Sequence, residues 1–447
     1  MKQKLINTII LIRHGESDYN IEGIIQGNSN FSDLTTRGIK QAVSIGEWIS
    51  ELEINCIYTS PLTRAKRTAE LISKECGYPV NKIIVDEHLI EVDFCSWQGK
   101  KRDYIKETNP ELYKFWRRRP YDLEIDNRNP IRELYDRISL FLNAKIYNNN
   151  EKGTKVIIGH KGTISAILVS LLKLPKSHHH FMQIDRGSVT VLQERISTTS
   201  PFDYELIFAN ELPKEEGVNI QPVNYKTEER TISSGELYLI RHGLTSSNID
   251  KKYQGSKDIP LSNIGIRDMS TLAKSFLPHT PTRIYSSPLK RAIESAKIIA
   301  HHNKLSSISV RNDLHEFIYG VWEGMTENDV IKYRNAEYNQ WQSSPSEATI
   351  PRAEHINNAY NRCSKIWEDF QTDIESWNGS IISVAHDIVN RLIICNALDL
   401  PANYIWAFKQ TNASVSVIAV KNIIDGRLRI LNHSTNPLKS RLSDEWL

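Results

Sequence analysis

The chain has 447 residues, 40% apolar and 24% charged, the profile of a globular protein with a real core and enough length for two or three domains. Its 56 Lys and Arg against 53 Asp and Glu leave a formal charge of +3, so no domain-wide basic field exists to collect nucleic acid. The five cysteines, Cys56, Cys76, Cys95, Cys363 and Cys395, are odd in number and form no Cys-x-x-Cys, which argues against a disulfide framework and fits a reducing compartment.

In chain order, Met1 to Leu5 lacks a long apolar region and a small-residue cleavage site, and no apolar run exceeds strand length. The expectation is a soluble cytoplasmic protein with no membrane or nucleic-acid partner. Strands are predicted at Thr8–Ile12, Cys56–Thr59, Ile83–Val85, Lys155–Ile158 and Val189–Leu192. Helices are predicted at Thr36–Glu51, Leu62–Cys76, Ile131–Ile146 and Thr163–Leu172. The stretch from Glu211 to Gly235, with Pro213, Pro222 and two charge runs, reads as a linker. Beyond it, strands are predicted at Leu237–Ile240, Arg283–Tyr285, Ser309–Arg311, Ile381–Val384 and Val415–Val420. The tail is polar apart from Trp446-Leu447.

The second half repeats the first. Arg13-His14-Gly15 recurs as Arg241-His242-Gly243, and Gln26-Gly27 as Gln254-Gly255. Ser60-Pro61-Leu62-Thr63-Arg64-Ala65 recurs as Ser287-Pro288-Leu289-Lys290-Arg291-Ala292. Glu91 and Trp97 answer Glu316 and Trp322, and Gly159-His160 answers Ala385-His386. The offset drifts only from 228 at the first triplet to 225 at the glutamate, which marks a tandem duplication. Domains are expected at 1–210 and 236–447, joined by a linker at 211–235. Alternation of short strands with helices points to α/β units with a mostly parallel sheet.

His14, His160, His242 and His386 each follow a predicted strand, and parallel sheets place ligands at the carboxyl ends of their strands. Arg64 and Arg291 fall in the first turn of a helix after Ser-Pro, with the serine as a candidate N-cap, and helix N-termini attract phosphate. These residue types suit phosphoryl transfer. Arg13 and Arg64 can grip a phosphate dianion through their guanidinium forks, and His160 adds a donor. His14 supplies an imidazole nitrogen as nucleophile, and Glu91 can protonate the leaving oxygen and later deprotonate water. Arg241, His242, Arg291, Glu316 and His386 repeat the set. No carboxylate cluster with metal spacing accompanies either set, so metal independence and no cofactor are expected.

Each half resembles the histidine phosphatase superfamily, in its phosphoglycerate mutase-like branch. The hallmark Arg-His-Gly-x-Thr-x-x-Asn is matched from Arg241 to Asn248, and from Arg13 to Asn20 with Ser17 in the threonine position. The branch's Leu-x-Glu…Trp-Glu-Gly segment stands as Leu314, Glu316 and Trp322-Glu323-Gly324, and as Leu89, Glu91 and Trp97-Gln98-Gly99. The resemblance implies two three-layer α/β/α domains of phosphoglycerate mutase-like fold. It implies phosphate acceptors at His14 and His242 and acids at Glu91 and Glu316. Phosphate would be bound by Arg13, Asn20, Arg64 and His160, and by Arg241, Asn248, Arg291 and His386. Two such units in one chain are similar to tandem members of the branch from cyanobacteria and plants. The implied activity is hydrolysis of a small phosphorylated metabolite, of sugar phosphate, 2-carboxyarabinitol 1-phosphate or α-ribazole phosphate type. Phosphoglycerate mutase is the first alternative, and a scaffold with one or both sites inactive the second.

Three further features lie outside this set. His178-His179-His180 has no counterpart in the second half, where Tyr404-Ile405-Trp406 stands, and is expected on a surface rather than at a metal. Arg117-Arg118-Arg119 falls in the segment that lids the site in the family, and is either a solvated run or a substrate contact. Trp97 and Trp322 are expected in the core beside the glutamate. Gln98 for Glu and Cys95 for Gly are the departures of the first unit.

Overall fold

The computed structural model describes residues 6–148, 151–195, 203–213, 235–275, 282–420 and 427–442. Most of the expected linker (214–234) and the end of the tail (443–447) lie outside the described residues. The chain divides into two compact units. Unit 1 is Met1–Glu194 with Ala209–Asn219, and unit 2 is Arg195–Phe208 with Ile220–Leu447.

Unit 1 is built on β1 (Thr8–Arg13), β2 (Ile54–Thr59), β3 (Ile84–Val85), β4 (Thr154–Gly159) and β5 (Val189–Glu194), in the order β3-β2-β4-β1-β5. β1, β4, β2 and β3 run parallel, and β5 is antiparallel to β1. Ile9, Ile10, Leu11 and Ile12 are all buried, so β1 is covered on both faces, which is why it reads as an unbroken apolar run. The covering helices are α1 (Thr36–Ile49), α2 (Thr63–Glu75), α3 (Pro130–Leu142) and α4 (Lys161–Leu171), with α1 packed on α2 and α3 on α4.

A further strand, β6 (Tyr204–Glu211), follows, and unit 2 repeats the plan. It has β7 (Glu236–Arg241), β8 (Thr282–Ser286), β9 (Ile308–Val310), β10 (Ser380–Ala385), β11 (Val415–Ala419) and β12 (Leu428–His433), in the order β12-β11-β7-β10-β8-β9. β7, β10, β8 and β9 are parallel, while β11 is antiparallel to both β7 and β12. Its helices are α5 (Asn263–Ser275), α6 (Lys290–His302), α7 (Ile356–Trp377) and α8 (Asp387–Ala397). The α/β class and tandem architecture expected from the sequence are therefore present.

Three details differ. β6 and β12 have no counterpart among the predicted strands, because Glu205, Arg429, Asn432 and His433 interrupt their apolar pattern although the strands are buried. The helix expected at Ile131–Ile146 ends at Leu142 and continues as a single wide turn, Asn143–Tyr147. The Ser-Pro serines are not N-caps. α2 and α6 begin two residues beyond the proline, with Leu62 and Leu289 at the cap position and no side-chain cap, so Ser60 and Ser287 are left for another use.

The register sets the site. Arg13 pairs with Gly159 and Thr59 with Ile158, so the residues that follow, His14, His160 and Ser60, leave three adjacent strands side by side. Arg241 pairs with Ala385 and Ser286 with Val384, which does the same for His242, His386 and Ser287. The chain leaves β1 and β7 through a contact only glycine allows. A Cβ on Gly15 would lie 2.4 Å from the Gly38 carbonyl oxygen, and one on Gly265 would lie 2.2 Å from that of Leu244. Placing a methyl there forces backbone apart in a packed interior. Gly265→Ala is expected to destabilise the protein by about 2 kcal/mol or more, seen as a lower urea midpoint.

Candidate active site

In each unit the first histidine is fixed by its own neighbour. His14 Nδ1 lies 2.7 Å from the Gly15 carbonyl oxygen, and His242 Nδ1 lies 2.7 Å from that of Gly243. A carbonyl only accepts, so Nδ1 carries the proton and Nε2 presents a lone pair. In the second unit Arg291 Nε donates to His242 Nε2 at 3.2 Å, which requires that nitrogen to be unprotonated. Both rings are fully buried, and their pKa values lie well below the ordinary 6.5. For His14 the causes are burial first, then Arg64, Arg13 and Arg186, against the Gly15 bond. For His242 they are burial, then Arg291 and Arg241. Each imidazole is therefore neutral at physiological pH, the form a nucleophile needs.

The second histidine stands edge-on to the first, with ring centroids 5.2 Å apart in both units. His160 Nε2 meets Ser60 Oγ at 2.8 Å, and His386 Nε2 meets Ser287 Oγ at 2.7 Å. Ser60 Oγ also accepts from the Leu62 N–H. Its hydroxyl proton is then free to go to His160 Nε2, which leaves Nδ1 as the protonated nitrogen. Nδ1 of His160 and of His386 is buried without a partner, a donor that a phosphate oxygen would satisfy. Burial first, then Arg64 or Arg291, lowers both rings well below 6.5.

The arginines are held by loop carbonyls. Arg64 donates to Ser29 O and Gly27 O, both at 2.8 Å, and Arg291 to Lys257 O (2.6 Å) and Gly255 O (2.9 Å). Arg64 Nε has no partner, and Arg291 Nε is the atom that faces His242. Burial lowers both guanidinium groups only to about 10, so they stay charged. Arg13 is anchored at Ile184 O and Arg241 at Gln410 O. Asn20 and Asn248 close capping boxes with Ser17 and Thr245, so serine replaces threonine without loss of the hydroxyl. Gln98 and Glu323 do one job: each accepts a backbone N–H of the loop whose carbonyls hold the arginine, from Asn28 at 2.7 Å and Ser256 at 2.9 Å.

The glutamates sit over the N-termini of α4 and α8. Glu91 accepts from the N–H groups of Val92 (2.9 Å), Gly162 (3.0 Å) and Thr163 (3.2 Å). Glu316 accepts from Phe317 (2.8 Å) and Asp387 (3.2 Å). Burial first, and the Asp387 carboxylate second, raise Glu316 to about 7, against Phe317 N–H, Arg291 and Arg241. All twelve residues singled out in the sequence thus fall into two matching clusters.

Several contributors were not singled out. Ser60 and Ser287 were noted only as helix starts. Arg137 donates to Ile90 O (2.8 Å) and Glu91 O (3.3 Å), and its counterpart Arg362 to His315 O (3.0 Å), bracing the glutamate loops. Arg186 reaches Glu16 and Asn20 O, while Asn412 holds His242 O (3.1 Å) and Asn248. No motif marks these four, since each lies far along the chain from what it supports.

The remaining features sort differently. His179 is buried against Tyr135, with Nδ1 3.3 Å from the hydroxyl, so the triple histidine is not simply a surface run. Burial, then Lys161, lowers it to about 3. Among the described residues no group of His, Cys, Asp and Glu has the arrangement of a metal site. Arg117 lies over the Trp116 ring and Arg119 pairs with Asp122. Trp97 and Trp322 are buried. No described helix is long and apolar enough to cross a membrane.

The family model of the histidine phosphatase superfamily (branch 1) matches residues 9–199 and 237–431. The chain belongs to this superfamily, twice over. It is 23% identical over 419 residues to the 2-carboxy-D-arabinitol-1-phosphatase of Triticum aestivum, spanning 92% of this chain and 82% of that one. Phosphoserine phosphatase 1 of Hydrogenobacter thermophilus is 30% identical over 183 residues, 41% of this chain and 85% of its own. A protein of Citrobacter koseri named probable phosphoglycerate mutase GpmB is 32% identical over 171 residues, 37% of this chain and 75% of its own.

Four buried neutral histidines link folding to pH. An unfolded histidine takes up a proton near 6.5, whereas the native rings resist it, so their stabilisation is complete above about pH 6.5 and lost as pH falls toward the native values. The unfolding free energy is expected to drop below pH 6.5 by up to about 1.4 kcal/mol per pH unit for each ring. Urea titrations at stepped pH, wild type against His160→Asn, should show a shallower fall in the variant.

Proposed function

We propose that each half of this histidine phosphatase hydrolyses a small phosphomonoester through a phosphohistidine. His14 or His242 attacks phosphorus through Nε2, and the ester P–O bond breaks. Glu91 or Glu316 gives its proton to the departing oxygen, then takes one from the water that attacks the phosphohistidine, releasing inorganic phosphate and restoring the ring. Arg13, Arg64, Asn20 and His160 hold the phosphoryl oxygens in one site, and Arg241, Arg291, Asn248 and His386 do so in the other. Preorganised charge of this kind supplies about 3 to 4 kcal/mol per donor toward the transition state. The observation that carries the reading is the fixed tautomer: a buried neutral ring with Nδ1–H spent on a glycine carbonyl in both units, and Nε2 turned to the Arg291 guanidinium in the second.

Relatives that match along most of the chain support a substrate class. A phosphorylated sugar acid, of the kind in the name of the wheat protein, is the first compound to try, with sugar phosphates and α-ribazole phosphate after it. A mutase would have to shelter the phosphohistidine from water and grip a second anionic group. Arg117 and Arg119, the basic residues that could do this, are engaged by Trp116 and Asp122. A scaffold role has no support in the geometry, because neither cluster lacks a chemical group.

Phosphate release in EDTA across a panel of phosphomonoesters tests this reading. Wild type should release phosphate, His14→Ala and His242→Ala should each keep the other site's share, and the double variant should fall by on the order of 10³-fold or more. Absence of release by wild type, even from aryl phosphates, refutes it.

A further inference from the structure

The two sites are not copies around their acid. The residue after the second histidine is Lys161 in unit 1 and Asp387 in unit 2, and one helical turn further on Ser165 answers Arg391. Asp387 opens α8, gives its N–H to Glu316, and is gripped through Oδ1 by Arg391 Nε at 2.7 Å, with Arg241 3.9 Å from Oδ2. Arg391 is buried and fixed in turn by Glu205 Oε1 and Ile405 O, both at 2.9 Å, and it lies over the Trp406 ring. Burial opposes the charge on Asp387, but Arg391, Arg241 and Lys409 together hold its carboxyl below the usual range. It is therefore a fixed negative charge beside Glu316 rather than a proton donor.

The other groups around Glu316 are accounted for. Arg241 from β7 and Arg291 from α6 favour its ionised form, and the neutral Tyr319 hydroxyl faces it. Cys363 from α7 is a buried thiol held neutral, with Arg362 and Glu354 paired to each other behind it. His242 and His386 are neutral. Asp387 is thus a carboxylate set against the two arginines. In unit 1 the acid meets three N–H donors, and Lys161 stands where Asp387 does.

We infer that Asp387 is a positioning residue peculiar to the second site: pinned by Arg391, it keeps the proton on Glu316, so that this site meets its substrate with the acid already loaded. The second site then loses activity as pH rises through neutrality because its acid is discharged. This rests on the phosphatase reading only for the rate consequence. The effect on Glu316 itself stands apart from turnover.

The test uses the full chain labelled with 13Cδ-glutamate, the Glu316 resonance being the one lost in Glu316→Gln. Wild type should show a carboxyl titrating near neutrality, and Asp387→Asn should move that midpoint to lower pH by on the order of one pH unit. In a His14→Ala background, kcat/KM for an aryl phosphate should fall above neutrality, with the limb displaced in the same direction by Asp387→Asn. If that variant does not fold, Lys161→Asp installs the carboxylate in the first site and should move the Glu91 midpoint to higher pH. An unmoved midpoint in whichever folded variant is measured overturns the proposal. A moved midpoint without any turnover would uphold it while refuting the phosphatase reading.

Discussion

One short hydrogen bond organises each site: the histidine Nδ1–H to the carbonyl of the glycine that follows it. It decides which nitrogen is protonated, and in the second unit it aims the other at the guanidinium of Arg291. The close glycine–helix contact beside it brings the chain off the central strand at that angle, with no room for a side chain. Burial then keeps the ring neutral, and the surrounding arginines keep it from gaining a proton. Cationic surroundings and a neutral ring are therefore one arrangement, because charges able to hold a phosphate also lower the basicity of the ring proposed to attack it.

The sheet supplies the rest. Three neighbouring parallel strands end on the first histidine, the second histidine and the serine, so the serine hydroxyl can orient the second ring and leave its far nitrogen unpartnered. Arginine termini spent on loop carbonyls have little freedom left to lose on binding, which is what preorganisation requires. The loop is held from behind by Gln98 in one unit and Glu323 in the other, two residues that differ in charge and agree in accepting a backbone N–H. Cys95 shows the opposite case. It adopts the left-handed backbone (φ 50°) that Gly320 takes in the second unit (φ 56°), a conformation glycine adopts with less strain.

Much of this was legible in the residues. The repeat, the strand-end histidines, the Ser-Pro arginines and the glutamates all carry local signatures, and every one reappears in the clusters. What could not be read were relations that need the third dimension. The Ser-Pro serine looks like an N-cap until the neighbouring strand brings a histidine to it. Arg137, Arg362, Arg186 and Asn412 act across long sequence gaps on backbone atoms, which leave no pattern. β6 and β12 escaped because the buried Glu205, Arg429, Asn432 and His433 interrupt their apolar pattern. The contrast between Lys161 and Asp387 was visible as letters, but its consequence depends on Arg391 one turn along and Glu205 far back in the chain.

The central claim is that His14 and His242 accept phosphate through Nε2, and the most direct measurement is to trap that species. Rapid acid-free denaturation during turnover of an aryl phosphate, followed by 31P NMR and peptide mapping, should find acid-labile phosphate on His14 and His242 as the Nε2 isomer. Phosphate on Nδ1, on another residue, or on none while turnover proceeds would contradict the account.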